Sequence, residues 1–167
     1  MIIYKNANNE LLSNIPEIIK YLEERVVATE EPFRYIPELI EYLEIINDPN
    51  KDILTIPPHL FYGDILSAFD KKASFFYKLL NGEYRSNNEL ITRVFSFFEN
   101  MANSNDFDVQ CLLQTAVLEY LWSHAEILEA AECYMGPKTK LINDTISEYF
   151  TRPKLSSRNR SKRMSEK

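Results

Sequence analysis

Glycine is scarce in this sequence. Only three glycines occur among 167 residues, at Gly63, Gly82 and Gly136. An all-β fold needs many tight turns, and these turns draw on glycine because it adopts positive φ without steric cost. The scarcity therefore favours helices that are joined by a small number of loops.

Cysteine and histidine are also rare, with two of each. Cys111 and Cys133 lie in helix-like segments, and a disulfide framework would need more cysteines in a shorter chain, so we expect buried free thiols in a cytoplasmic protein. His59 and His124 form no H-E-x-x-H motif and do not combine with the cysteines at the spacing of a structural zinc site. We expect surface or capping roles for both histidines, and no metal.

Long apolar runs and glycine-rich motifs are absent as well. No run approaches the 18 apolar residues of a membrane-spanning helix, and the polar segment Lys5–Glu10 stands where a signal peptide would continue its apolar core. Neither a phosphate-binding loop nor a serine-hydrolase elbow occurs. These absences predict a non-enzymatic protein without a cofactor. An enzyme whose carboxylates act in a cleft stays open as an alternative.

Charge is divided unequally along the chain. Residues 151–167 carry seven Lys or Arg against the single acid Glu166, which leaves 12 basic and 24 acidic side chains in residues 1–150. The body is therefore near −12 and the tail near +6. An acidic body repels nucleic acid and attracts basic partners. The tail has almost no apolar residues, and we expect it to be disordered.

Apolar residues recur at helical spacing in six segments between residues 14 and 150. Two of these segments contain nearly identical nonapeptides, at 15–23 and 36–44. A helical repeat would give such a pattern, but two copies are too few to establish one, so we expect a local duplication or two helices with similar packing needs. We predict an all-α fold, an antiparallel array of about six helices in HEAT-like or bundle packing. Residues 1–150 would form one domain with a weak boundary near 48–58, followed by the disordered basic tail at 151–167.

The strongest periodicity follows Phe107. Its apolar stripe consists of Val109, Leu112, Leu113, Ala116, Val117, Tyr120 and Leu121. At about 100° per residue the stripe continues beyond Ser123, which favours one helix that ends at Met135. The segment 123–126 also resembles a capping box, so a break at Ser123 stays open.

In a continuous helix, four residues span about 80° opposite this stripe. We define them as the candidate face: Glu119, Trp122, Glu126 and Glu129. Tryptophan is favoured at binding hot spots, and flanking carboxylates suit a basic protein partner. The alternative is that Trp122 packs under the N-terminal hairpin or under the loop at 56–58.

Several segments resemble a known kind of protein. Residues 56–64 (Ile-Pro-Pro-His-Leu-Phe-Tyr-Gly-Asp), 97–99 (Phe-Phe-Glu), 118–121 (Leu-Glu-Tyr-Leu) and 136–138 (Gly-Pro-Lys) look like a family of uncharacterised bacterial all-helical proteins. Such small acidic proteins resemble the antidotes of toxin-immunity loci. The resemblance covers residues 56–150 and implies no catalytic residues, while the basic tail departs from the usual antidote pattern.

We therefore predict a non-enzymatic protein-binding module, an immunity-type inhibitor that binds a basic toxin or nuclease through the candidate face. The alternative is a regulatory or scaffold subunit whose basic tail contacts nucleic acid or an anionic surface. We expect no nucleic-acid contact outside the tail, because the body is acidic. The tail lacks the aromatic residues that a nucleic-acid-binding arm would need for base stacking. The oligomeric state stays open.

Overall fold

The computed structural model describes residues 1–27, 36–68 and 70–151, and every regular element in these ranges is helical. The helices are α1 (Ala7–Asn14), α2 (Glu17–Val27), α3 (Ile36–Asn47), α4 (Pro58–Leu66), α5 (Phe75–Leu80), α6 (Asn88–Ala102), α7, α8 (Ala125–Glu132) and α9 (Pro137–Thr151). Helix α7 joins an α-helical segment (Phe107–Leu112), a π-helical segment (Leu113–Leu118) and a final α-helical turn (Glu119–Trp122). The all-α prediction is confirmed. The predicted disorder of the basic tail lies outside the described residues.

A single cluster of buried apolar side chains draws members from each of these helices. Helix α6 contributes the largest share, with Leu90, Ile91, Val94, Phe95, Phe97, Phe98, Met101 and Ala102. It packs against α1, α7 and α9, while α4 packs against the π-helical segment of α7. Because a buried aromatic side chain removes about 150–250 Å² from water, the three buried phenylalanines of α6 add strongly to its share of the core.

The first helix, α1, was not predicted, because only Ala7, Asn8 and Leu11 of its eight residues are buried. The side chain of Asn8 donates hydrogen bonds to the carbonyls of Ile53 (3.1 Å) and Ile56 (2.8 Å). These bonds tie the connection between α3 and α4 to α1. The chain before α2 is therefore a helix that supports the loop at 48–58.

Apolar residues recur at helical spacing over 59–80, which predicts one helix, but local capping groups divide this segment into α4 and α5. The carboxylate of Asp70 accepts a hydrogen bond from the amide of Lys72 at 3.0 Å, which begins a short 3-10 turn. The hydroxyl of Ser74 then accepts from the amide of Tyr77 at 3.2 Å and begins α5. Asp and Ser side chains can bind backbone amides in place of the carbonyls of a continuing helix. Here the two side chains bind these amides, so a single helix does not continue from α4 into α5.

The C-terminus of α4 is capped by a side chain from another helix. Arg25 of α2 is 4% exposed, and its guanidinium donates to the carbonyls of Asp64 (2.7 Å) and Ser67 (3.0 Å). The last carbonyls of a helix have no partner inside that helix and need one when they are buried. The guanidinium thus fixes α2 against the end of α4.

The favoured prediction of one helix from Phe107 to Met135 is wrong, and the alternative that stayed open, a break at Ser123, is what the structure shows. Ser123 donates from its hydroxyl to the carbonyl of Glu119 at 3.0 Å, and His124 Nδ1 lies 2.9 Å from the carbonyl of Tyr120. The backbone leaves the helical conformation at His124, and α8 begins at the next residue. The angle between successive residues departs from 100° in the wider turns of the π-helical segment. The positions of the apolar residues on a regular helical wheel therefore could not show whether the helix continues past Ser123.

Candidate functional site

The outer side of α8 carries half of the candidate face. Ile127, Leu128 and Ala131 are buried on one side of this helix, while Glu126 and Glu129 are exposed on the other. The surrounding sequence, residues 101–137, contains six acidic residues and no Lys or Arg. The outer side of α8 is therefore a surface of negative charge with little compensation from its own part of the chain.

The other half of the candidate face lies at the end of α7. Glu119 and Trp122 are both half-buried in the last turn before the break at Ser123. Because of this break, the four residues do not share one helix, and the 80° arc predicted from the helical wheel does not exist. The turn instead places Glu119 and Trp122 on one helix, and Glu126 and Glu129 on the next.

The side chain of Trp122 is directed to the C-terminal helix. Its indole N–H donates a 3.0 Å hydrogen bond to Oδ1 of Asn143, a residue of α9 that is 1% exposed. The indole also packs against the apolar core. Trp122 therefore joins α7 to α9. Two other positions for this side chain were expected from the sequence: an exposed binding hot spot, or packing under the N-terminal hairpin or the loop at 56–58.

One cation lies at the edge of the candidate face. Lys71, in the 3-10 turn before α5, forms a 2.5 Å ion pair with Glu126, and this hydrogen bond raises the pKa of Lys71 above its ordinary value. Among the described residues, neither Glu119 nor Glu129 has an ion-pair partner. The face therefore keeps two uncompensated carboxylates beside one that is already paired.

His124 and Tyr120 form an aromatic pair under the break between α7 and α8. Their ring centroids are 4.4 Å apart, and the Tyr120 ring also stacks on Phe76 at 5.9 Å. Burial raises the pKa of Tyr120 above its ordinary value. Since a carbonyl can only accept, His124 Nδ1 must carry the proton that bonds to Tyr120. His124 therefore has a capping role, and His59 Nδ1 lies 3.1 Å from the hydroxyl of Tyr4 in an exposed contact.

The two cysteines are free thiols in different environments. Cys111 is half-buried, whereas Cys133 is exposed, so the prediction of a buried thiol is wrong for Cys133. Cys133 follows directly after α8 and lines an open depression together with exposed residues of α6, among them Thr92 and Ser96. Within the described ranges, no group of three or more His, Cys, Asp or Glu side chains is arranged to hold a metal ion.

Asp64 and Tyr42 form a partly buried polar contact near the cap of α4. The hydroxyl of Tyr42 donates to Asp64 Oδ2 at 2.6 Å. Burial first, and then this bond to the carboxylate, raise the pKa of Tyr42 well above its ordinary value. Tyr42 is therefore a neutral hydrogen-bond donor. Its bond to the Asp64 carboxylate could not be inferred from the spacing of the two residues in the sequence.

A second acidic surface was missed by the sequence analysis. A groove of about 650 Å³ lies between α3 and the following loop, and its carboxylates are Glu41, Glu44 and Asp52. Lys51, also in the groove, pairs with Glu44 at 3.9 Å. We call it the α3 groove. The spacing of Glu41 and Glu44 was visible in the sequence, but the approach of Asp52 depends on how the loop folds back.

Comparison with known proteins gives one match. The model of a protein family described as a domain of unknown function, DUF7674, matches residues 33–148. The match spans more than half of the chain, so the chain belongs to this family. No curated protein and no solved structure matches it significantly. In the described part of the chain, no helix has the length and apolar character needed to cross a membrane.

Proposed function

We propose that this member of the DUF7674 family is a non-enzymatic, cytoplasmic protein-binding module that takes a basic protein partner on the candidate face. The observation that carries the proposal is the outer side of α8, where Glu126 and Glu129 are exposed in a stretch of 37 residues without Lys or Arg. Glu126 is paired with Lys71 from another segment, and Glu129 has no ion-pair partner among the described residues. Charge of one sign steers a partner of opposite sign and suppresses partners of like sign. Cys111 and Cys133 are both free thiols, which supports a location in a reducing compartment.

Trp122 has a positioning role in this proposal. Its indole is bonded to Asn143 and packed against the core, so it joins the end of α7 to α9. A rigid base lowers the entropy lost when exposed side chains are ordered in an interface. The carboxylates of Glu119, Glu126 and Glu129 therefore provide the contacts, and the tryptophan fixes the helices that carry them.

In its specific form the proposal is an immunity-type inhibitor of a basic toxin or nuclease. Enzymes that act on nucleic acid bind phosphates through Lys and Arg. A rigid surface of carboxylates can occupy such a site and exclude the substrate. We expect one equivalent of this protein to abolish the activity of its partner, with the inhibition weakened by high salt.

The test is capture of the partner by the tagged protein at low and high salt, with two variants of equal charge change. Glu126→Lys/Glu129→Lys reverses the outer side of α8. Glu23→Lys/Glu89→Lys reverses two exposed carboxylates on α2 and α6 as the control. We expect a basic protein to be lost with the first variant and retained with the second. Retention by both would remove the candidate face from the account.

A third variant, Glu41→Lys/Asp52→Lys, tests the α3 groove in the same experiment. Loss of the partner with this variant alone would assign the binding to the α3 groove and contradict the candidate face. All three variants change the net charge by the same amount. The comparison therefore separates a local contact from the overall charge of the body.

The charge division of the sequence favours one further candidate, a regulatory or scaffold subunit whose basic tail contacts nucleic acid or an anionic surface. Residues 151–167 hold seven basic side chains. Deletion of residues 152–167 should then abolish capture of nucleic acid and its dependence on salt. Capture that persists after the deletion would contradict this role for the tail.

A further inference from the structure

A small polar cleft lies between α1 and the end of α6. Its volume is about 380 Å³, within the range of sites for small molecules. Helix α1 lines it with Glu10 and Asn14, and α6 and the residue that follows it line it with Phe97, Asn100 and Asn103. We call it the α1–α6 cleft. It is separate from both the candidate face and the α3 groove.

The walls of the cleft are fixed by hydrogen bonds to the first residues of the chain. The hydroxyl of Ser104 donates to the carbonyl of Ile2 at 2.7 Å, and the amide of Tyr4 donates to Asp106 at 2.8 Å. On the other side, the hydroxyl of Tyr62 donates to the carbonyl of Ala7 at 2.8 Å. The cleft is therefore preformed, which limits the ordering cost of binding.

The amide groups in the cleft present acceptors. Asn14 donates from Nδ2 to the carbonyl of Glu10 at 2.7 Å, and Asn103 donates from Nδ2 to the carbonyl of Glu99 at 2.8 Å. These bonds fix the orientation of both amides, because only the NH₂ end can donate to a carbonyl. The Oδ1 atom of each side chain therefore remains as a hydrogen-bond acceptor.

The ionisable side chain in the cleft is a carboxylate, and Met1 lies in the same lining. Glu10 is the one ionisable side chain among the lining residues. Across residues 1–27, 36–68 and 70–151, no hydrogen bond or ion pair reaches its carboxylate, and none reaches the side chain of Asn100. Phe97, which is 2% exposed, forms an apolar floor. A carboxylate beside amide oxygens matches a ligand with a primary ammonium group, which brings positive charge and several donors.

We propose that the α1–α6 cleft binds a small organic cation with a primary ammonium group, and that Glu10 is its counter-ion. An ammonium group offers three donors, which the Glu10 carboxylate and the amide oxygens of Asn14 and Asn103 accept. The alkyl part of the ligand lies against Phe97. Glu10 and Asn14 lie outside the residues that the family model matches, so this site depends on the N-terminal segment of this chain.

The test is an NMR titration of the full chain in 0.15 M salt, with putrescine as the probe and 1,4-butanediol as its neutral counterpart. We expect saturable shifts at the amides of Glu10, Asn14, Asn100 and Asn103 with the diamine and none with the diol. Glu10→Gln should weaken binding tenfold or more. The control Glu89→Gln, which removes an exposed charge on α6, should leave it unchanged. Shifts spread over all acidic surfaces, or equal binding to Glu10→Gln, would overturn the proposal.

A second arm distinguishes a free amine from a lysine side chain presented by a protein. Nα-acetyl-lysine amide carries the same ammonium group on a peptide-like backbone. Shifts at the cleft with both ligands would identify a protein-borne lysine as an acceptable source. Shifts with putrescine alone would restrict the site to free amines. Glu126→Lys/Glu129→Lys should retain cleft binding, which separates this inference from the proposed partner surface.

Discussion

Glu99 holds the beginning of α9 against α6. Its carboxylate accepts hydrogen bonds from the amides of Lys138 and Thr139, both at 2.9 Å, and from the hydroxyl of Thr139 at 2.8 Å. The first amides of a helix have no partner inside the helix, and they carry the positive end of its dipole. A side chain 40 positions away in the sequence thus acts as the cap of α9.

Gly136 leaves the space that this carboxylate occupies. A Cβ atom at Gly136 would lie 2.4 Å from Glu99 Oε2, so Gly136→Ala should displace the carboxylate and lower the free energy of unfolding by about 1–3 kcal/mol. Urea denaturation measures this loss. In the control Gly63→Ala, the added Cβ meets nothing within 4 Å, and the change should be neutral or stabilising. Equal losses in both variants would contradict the account.

The same carboxylate predicts a dependence of stability on pH. Burial raises the pKa of Glu99, but hydrogen bonds from Thr139, Lys138 and Asn103 together outweigh it, so the pKa lies below its ordinary value of 4.5. A lowered pKa gives stability that is full above the unfolded-state value and is lost as pH falls through the folded-state value. The stability difference between the wild-type protein and Glu99→Gln should therefore shrink below pH 4.5. A difference that stays constant from pH 7 to pH 3 would exclude this role.

At the scale of the helices, the Arg25 side chain of α2 caps the C-terminus of α4. The guanidinium is buried and serves several carbonyls at the helix end. Arg25→Met should lower the free energy of unfolding by about 3 kcal/mol, and Arg25→Lys by less, because an ammonium reaches fewer carbonyls. Lys20→Met on the exposed side of α2 is the control, with an expected change of about 0.5 kcal/mol or less. Comparable losses at both positions would contradict the capping role.

The bond between Trp122 and Asn143 joins two helices that the sequence did not connect. Trp122→Phe keeps an aromatic ring but leaves the buried amide oxygen of Asn143 without the indole donor. We expect a loss of about 1–3 kcal/mol in the free energy of unfolding, followed by circular dichroism. Tyr134→Phe removes a polar group from a ring that is 39% exposed, and should change stability by about 0.5 kcal/mol or less.

The helices were predictable where one side of a segment is apolar over its whole length. In α6 the apolar residues that recur at helical spacing are buried, and Phe97 is buried with them. The apolar periodicity did not predict the break at Ser123, because the π-helical segment of α7 changes the angle between successive residues. The direction of Trp122 depends on Asn143, 21 positions further along the chain. Contacts of this kind cannot be inferred from spacing within one helix.

At the scale of the whole molecule, the sequence predicts the charge of the body and of the tail but not the faces on which the charges lie. The structure divides the exposed acids of the described residues between at least two surfaces, the candidate face and the α3 groove. Within a Debye length of about 8 Å at physiological salt, local carboxylates act together, whereas distant ones are screened. The position of each carboxylate, more than the net charge, therefore determines where a basic partner binds.

The most direct test of the central claim is the dissociation constant of the captured partner for two variants of equal charge. For Glu126→Lys/Glu129→Lys, on the outer side of α8, we predict binding at least tenfold weaker than for the wild-type protein, or about 1.4 kcal/mol. For the control Glu23→Lys/Glu89→Lys, we predict a change of about twofold or less. Equal weakening in the two variants would show that overall charge governs binding, and would contradict the assignment of the partner surface to α8.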